Sequence, residues 1–218
     1  MISRERKLIF IHVPKTGGNS IKTALKPYFD ADFVPAASAG KSLRSSSSKG
    51  FLDNFWNLDP EFGSIKHWSF AQYRKALGDS VAAFRVIACC RHPVDWSLSA
   101  YFFLKQSRQH KYFPWIDPPE ETGPEVFSRE EFLRFLGSGQ PSQFSYLDGI
   151  SPERLSLIRF ESLEDSFHGV CHKFGLPKIA LPVLNQSEKS GGFDFVDNGL
   201  KSEIRNVYEI DFVSFGYS

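Results

Sequence analysis

Cysteine is scarce in this chain: three residues in 218, two of them adjacent at Cys89 and Cys90 inside an apolar run. So few thiols exclude a disulfide framework and read as buried, reduced side chains, and no His or Cys spacing suits a metal ion, so none is expected. An excess of one charge sign is lacking too. Lys and Arg total 26 against 25 Asp and Glu, a formal net charge of +1. No global field therefore draws the chain to nucleic acid or to a membrane surface, and an anion site has to be local. Long apolar runs are missing as well. The opening "MISRERKLIFIHV" holds an apolar run of about five residues, short of the roughly 7–15 of a signal segment and the ~20 of a membrane span. A cytoplasmic protein without a membrane span is the expectation. No repeat of solenoid length is visible.

What is present is core-forming material, 41% hydrophobic residues and 15% aromatic, enough for one domain over residues 1–218. "KLIFIHV", residues 7–13, reads as a strand of a parallel sheet. It delivers the chain to Pro14 and the glycines, after which Ile21, Ala24 and Leu25 recur at helical spacing, with Asn19 or Ser20 suited to the first turn or cap. "AAFRVIACC" at 82–90 is a second such run, followed by "RHPVDWSLSAYFFLK" with Pro93 in a first helical turn. Two strand, loop, helix units predict an α/β fold, a three-layer αβα arrangement around a central parallel sheet, with ligands at the carboxyl ends of the strands. "LSLIRF" at 155–160 is a third strand candidate. Helices are expected at 70–77 with Gly78 as its end, at 128–136 with Ser128 and Glu131 as a capping box, at 162–176, and once more near the C-terminus. Residues 36–50, rich in Ser, and 113–124, rich in Pro, read as surface loops, the first of them mobile.

The chemistry concentrates at the two turns. Thr-Gly-Gly between a buried strand and a helix lets backbone N–H groups converge on an anion at a helix N-terminus. A Walker loop places Lys after its last Gly; here Lys15 precedes Gly17 and Gly18. That order speaks against an ordinary ATPase or GTPase, and the glycines by themselves fit a tight turn equally well. In the second unit Arg91 leaves the strand end and Ser97 and Ser99 follow in the helix, able to surround a second phosphate. Pairing of Arg91 with Asp95 or a carbonyl is the alternative there.

Together "FIHVPKTGGNS" and "CCRHPVDWSLSAY" resemble the two nucleotide-binding signatures of sulfotransferases, specifically the carbohydrate branch related to heparan sulfate 2-O-sulfotransferases and its small bacterial members. "KHWSFAQYRKALG" resembles the His-bearing segment between those signatures. "QFSYLDG" resembles an acceptor-side segment, and "RFESLEDSF", "FGLP", "LNQS" and "VYEIDFVSFGY" resemble the C-terminal part. The resemblance implies a P-loop-like sulfotransferase fold and 3′-phosphoadenosine 5′-phosphosulfate as donor. Lys15, Thr16, Gly17, Gly18, Asn19 and Ser20 would cradle its 5′-phosphosulfate, and Arg91 and Ser99 its 3′-phosphate. Asn19 stands where Thr is more usual, and Trp96 where relatives commonly carry a second Arg. Trp96 leaves either a clamp with one cation fewer or an indole that stacks on the adenine.

Sulfuryl transfer, like phosphoryl transfer, needs in-line attack and neutralisation of the leaving phosphate. Lys15 would meet the charge on the bridging oxygen, and His67, in the segment resembling the family's catalytic stretch, would be the general base toward the acceptor hydroxyl. Lys66 would touch the sulfuryl group. A packed histidine is the other reading of His67, and His12 and His92 read as structural. Lys105, Arg108, His110 and Lys111 with neighbouring aromatics form a stretch read either as a sugar surface or as a solvated helix end. Near-neutral charge disfavours a long polyanion as acceptor and favours a small-molecule or glycan hydroxyl, neutral glycans and glycolipids included. A P-loop kinase or NTPase, and a catalytically silent nucleotide-binding module, are the competing functions.

Overall fold

Short runs of bulky and β-branched residues build the sheet, and the computed structural model describes residues 1–30, 67–106, 127–182 and 195–218. In chain order the elements are β1 (Ile2–Ser3), β2 (Leu8–Ile11), α1 (Gly18–Leu25), α2 (Phe70–Leu77), β3 (Arg85–Cys90), α3 (Pro93–Gln106), α4 (Arg129–Gly137), β4 (Leu155–Arg159), α5 (Leu163–Lys173), α6 (Asn198–Val207) and α7 (Glu209–Phe215). They fall into two compact units, Met1–Arg91 with Gln143–Gln186, and His92–Ser142 with Ser187–Ser218. The Ser-rich and Pro-rich segments, Lys66, Arg108, His110 and Lys111 lie outside the described residues.

The first unit is an α/β assembly on a four-stranded sheet of order β1-β2-β3-β4. β2, β3 and β4 run parallel, with Leu8 opposite Arg85 and Val86 opposite Leu155. β1 pairs antiparallel with β2, Ile2 opposite Ile9, so the sheet is mixed and not purely parallel. Two residues are too few for a periodic signal, which is why the sequence does not announce this edge strand. Alternate residues of the parallel strands, Leu8, Phe10, Ile87, Cys89 and Ile158, pack on Ile21 and Leu25 of α1 and on Phe167 and Val170 of α5. The intervening Ile9, Ile11, Val86, Ala88 and Cys90 are also buried. Both faces of β2 and β3 are thus covered, as their unbroken apolar runs require. α2 begins with a reciprocal capping box between Ser69 and Gln72 and ends at Gly78, whose φ of 56° suits glycine.

The second unit is helical. The Trp96 ring of α3 stands edge-on to Tyr208 at 5.2 Å, and both side chains are buried. His92 lies edge-on to Phe212 and Tyr217, a packing role. Ser128 caps α4 by accepting from the Glu131 N–H. The Glu131 side chain does not complete the expected capping box. It turns inward, fully buried, and accepts from the Tyr101 hydroxyl at 2.6 Å and from the Lys105 ammonium. Lys105 is therefore the cation of a buried pair, not part of a basic surface. The expected single C-terminal helix is two. Asp197 caps α6 through the Leu200 N–H at 2.7 Å, and the chain breaks at Tyr208, φ −113° and ψ 30°. The Leu200 N–H, then Arg129, holds the Asp197 carboxyl below its ordinary value.

The Tyr208 hydroxyl is buried without a hydrogen-bond partner among the described residues. Burial, then the nearby Asp211 charge, pushes its pKa up, so it stays neutral. Removing an unsatisfied buried hydroxyl while keeping the ring is expected to stabilise the fold by about 1 kcal/mol. Urea denaturation of Tyr208→Phe checks this; a lower midpoint would show that the hydroxyl has a stabilising partner.

Candidate functional site

β2, β3 and β4 end side by side, at Ile11, Cys90 and Arg159. The segments that follow them, 12–18, Arg91 and Phe160, converge for that reason. The loop after β2 is shaped by its backbone. Lys15 adopts φ 63° and Gly17 φ 79°. The left-handed region is ordinary for glycine and disfavoured for a lysine by about 1–2 kcal/mol. Gly17 forms the N-cap of α1, in place of Asn19 or Ser20, which lie in the first turn. Glycine is required here twice over, since an added Cβ on Gly17 would also lie 3.0 Å from the Phe160 ring.

Gly18 is constrained from a different side. A Cβ there would fall 2.1 Å from Cδ2 of His12, so the helix start rests directly on the His12 ring. His12 is buried, and its ring centroid lies 4.5 Å from that of His67. The His12 carbonyl lies 2.8 Å from Nδ1 of His67. A carbonyl only accepts, so Nδ1 carries the proton and Nε2 is the basic nitrogen of the neutral ring. His67 is 6% exposed. The structure thus brings His67 to the loop through His12, a residue that sequence reasoning treated as merely structural.

Thr16 is fully buried, and its hydroxyl donates to the Val13 carbonyl at 2.9 Å. A second contact joins it to Cys89, whose thiol is pushed well up, first by burial and then by Cys90, with the Thr16 hydrogen bond opposing. The Thr16 side chain therefore closes the loop, and its backbone N–H is what a ligand could use. Cys89, Cys90 and Cys171 are buried free thiols. Cys89, protonated at neutral pH, is no nucleophile.

Arg91 is the meeting point. Its Nη1 reaches the Lys15 carbonyl at 3.5 Å, and its guanidinium lies over the Phe160 ring at 4.2 Å. Phe160 is thus a shared platform beneath Gly17 and Arg91. Gln143, fully buried, clips the Arg91 backbone with both halves of its amide, accepting from N–H at 2.9 Å and donating to C=O at 2.8 Å. Neither Gln143 nor Phe160 was singled out from the sequence, because glutamine and phenylalanine announce such roles only once the strand ends are adjacent. Ser99 lies on α3 in the second unit, half-buried, and Ser97 there donates to the Val94 carbonyl at 2.9 Å. Trp96 is wholly buried against Tyr208, which corrects the idea of an indole stacking on an adenine: no face of the ring is open to a ligand.

Fold and site define an α/β protein in which a glycine loop after β2 and an arginine after β3 meet at the carboxyl ends of parallel strands. No family model matches the chain, and no curated protein matches it. Among solved structures it is similar to a sulfotransferase from Alicyclobacillus acidocaldarius, with 16% identity, 95% of this chain and 92% of that chain covered, and a TM-score of 0.44. The function is read from the residues themselves. No described helix is long and apolar enough to cross a membrane, and among the described residues no group of three or more His, Cys, Asp or Glu side chains is arranged to hold a metal ion.

Proposed function

We propose that the protein is a cytoplasmic sulfotransferase that moves a sulfuryl group from 3′-phosphoadenosine 5′-phosphosulfate to a hydroxyl of a carbohydrate, glycolipid or small acceptor, within a single domain. The observation that carries this reading is the hydrogen bond from the Arg91 guanidinium to the Lys15 backbone carbonyl, which joins the two signature segments at one set of strand ends. A donor with phosphates at both its 3′ and 5′ positions calls for two cationic groups side by side.

In this reading the backbone N–H groups of residues 16–19 at the start of α1 hold the 5′-phosphosulfate, while the Ser20 N–H donates to the Gly17 carbonyl at 3.2 Å and closes the turn. The Lys15 ammonium neutralises the charge growing on the bridging oxygen as the S–O bond breaks. Arg91, its backbone clipped by Gln143, holds the 3′-phosphate. His67 takes the acceptor proton at Nε2, its ring fixed by the His12 carbonyl. The work is positioning and electrostatics, with no metal asked for by the residues present. Lysine ahead of the glycines suits a bridging oxygen next to the loop better than a γ-phosphate beyond it.

Calorimetry with 3′-phosphoadenosine 5′-phosphate, ADP and ATP tests the donor. The 3′,5′-bisphosphate is expected to bind more tightly than ADP, and Arg91→Ala to weaken it by at least about tenfold, since a hydrogen bond to a charged group contributes about 1.5–3 kcal/mol. Equal affinity for ADP, or magnesium-dependent consumption of ATP, would overturn the assignment in favour of an NTPase.

A further inference from the structure

The opposite end of the sheet carries a second concentration of positive charge that the proposed reaction does not use. β2 and β3 begin at Leu8 and Arg85, and α5 runs back from the end of β4 to bring Lys173 and Phe174 to those strand starts. There a cavity of about 370 Å³ is lined by Arg6, Lys7, Ala83, Arg85, Lys173 and Phe174. The turn between β1 and β2 is drawn in by the Arg85 N–H, which donates to the Lys7 carbonyl at 2.9 Å, with Lys7 at φ 52°. Arg85 and Lys173 both lie over the Phe174 ring, at 5.7 Å, and the Lys173 ammonium donates to the Ser156 hydroxyl at 2.8 Å.

Four cations therefore line one cavity in a chain whose net charge is only +1. No carboxylate lines it, and among the described residues none of the four is in an ion pair. Like charges gathered in this way repel one another, a cost that a multiply charged anion removes. We infer that this cavity binds a small molecule bearing at least two phosphate or sulfate groups. The four cationic side chains are exposed around an open depression, and its volume suits a compact ligand better than an extended polymer. Arg85 supplies a planar fork for an oxyanion, Lys7 and Lys173 supply point charges, and Phe174 gives the two cations above it a common wall. β3 holds Arg85 at its start and is followed by Arg91, so the cavity and the candidate active site are separated by about 20 Å at the usual rise per strand residue. This inference is independent of the sulfotransferase reading.

Inorganic pyrophosphate, titrated into ¹⁵N-labelled protein, tests it. Saturable shifts are expected at the amides of Lys7, Arg85 and Phe174, with pyrophosphate binding at least about tenfold more tightly than orthophosphate. The Arg85→Gln/Lys173→Gln variant, altered only at exposed side chains, is expected to lose those shifts and to weaken binding there at least about tenfold. Lys15→Ala is expected to leave them intact. Shifts confined to residues 15–20 and 91, equal affinity for orthophosphate, or binding unchanged in the double variant would each overturn the assignment. A pyrophosphate-dependent rise in the thermal midpoint of Lys15→Ala that disappears when Arg85→Gln and Lys173→Gln are added to that same variant gives the same answer without resonance assignments.

Discussion

Lys15→Ala is expected to lower kcat for sulfuryl transfer by about 10²–10³-fold, the loss that follows removal of one group stabilising transition-state charge. Its folding stability should hardly change. The lysine sits at φ 63°, and alanine inherits the same backbone strain, so the substitution neither relieves nor adds to it. Lys15→Gly is the informative companion. Glycine adopts that conformation freely, and the variant is expected to be more stable than wild type by up to about 1 kcal/mol. Its turnover should be as low as that of Lys15→Ala. A strained lysine kept for its ammonium shows this split between stability and activity. Incubation with the phosphosulfate donor and a panel of hydroxyl acceptors, read by mass spectrometry for gain of a sulfonate, gives the rates; urea denaturation gives the stabilities. Turnover of Lys15→Ala within about threefold of wild type would remove Lys15 from the chemistry, because the electrostatic role demands far more.

The second large effect is expected at Gly18. An alanine Cβ there would lie 2.1 Å from Cδ2 and 2.5 Å from Nε2 of His12. The obstacle is a ring wedged between the start of α1 and His67, not the free end of a flexible side chain. Overpacking of this kind is expected to destabilise the fold by about 1–3 kcal/mol. Because the His12 carbonyl holds Nδ1 of His67, displacement of His12 is also expected to reduce turnover beyond what the unfolded fraction explains. A double-mutant cycle with His12→Ala separates the two effects. Removing the ring opens space for the new methyl, so the pair should show a favourable coupling of about 1–3 kcal/mol in stability, without recovery of activity. Additive stability losses would mean that Gly18 is required for some reason other than the His12 ring.

Much of this architecture is visible in the chain before folding. The apolar runs at 7–13 and 82–90 become β2 and β3, trimmed to Leu8–Ile11 and Arg85–Cys90 because strand ends are set by ladder hydrogen bonds and not by hydropathy. Gly17-Gly18 marks the turn into α1, Pro93 opens α3, and Ser128 caps α4. Other elements depended on partners far away in sequence. β1 exists because Ile2 and Ser3 find the free edge of β2. A single C-terminal helix was expected from one continuous pattern, yet packing of Tyr208 on Trp96 accompanies a break between α6 and α7. Glu131 has the spacing of a capping residue, but a lysine and a tyrosine on another helix offered its carboxylate a better-compensated buried site.

The candidate site divides in the same way. Local sequence by itself determined the kinds of group available: a glycine turn after a buried strand, a lysine ahead of it, and an arginine at a second strand end. Those choices follow from steric rules acting over a few residues, which a linear pattern records. The two strand, loop, helix units already implied parallel strands, and only the tertiary structure decided their register and that the Arg91 guanidinium reaches the Lys15 carbonyl. It alone decided that Gln143 clips the Arg91 backbone, that Phe160 lies under both segments, and that Trp96 belongs to the core. Each of those roles depends on two groups brought together by the register of a sheet or the packing of helices, and no pattern confined to one stretch of chain contains that information.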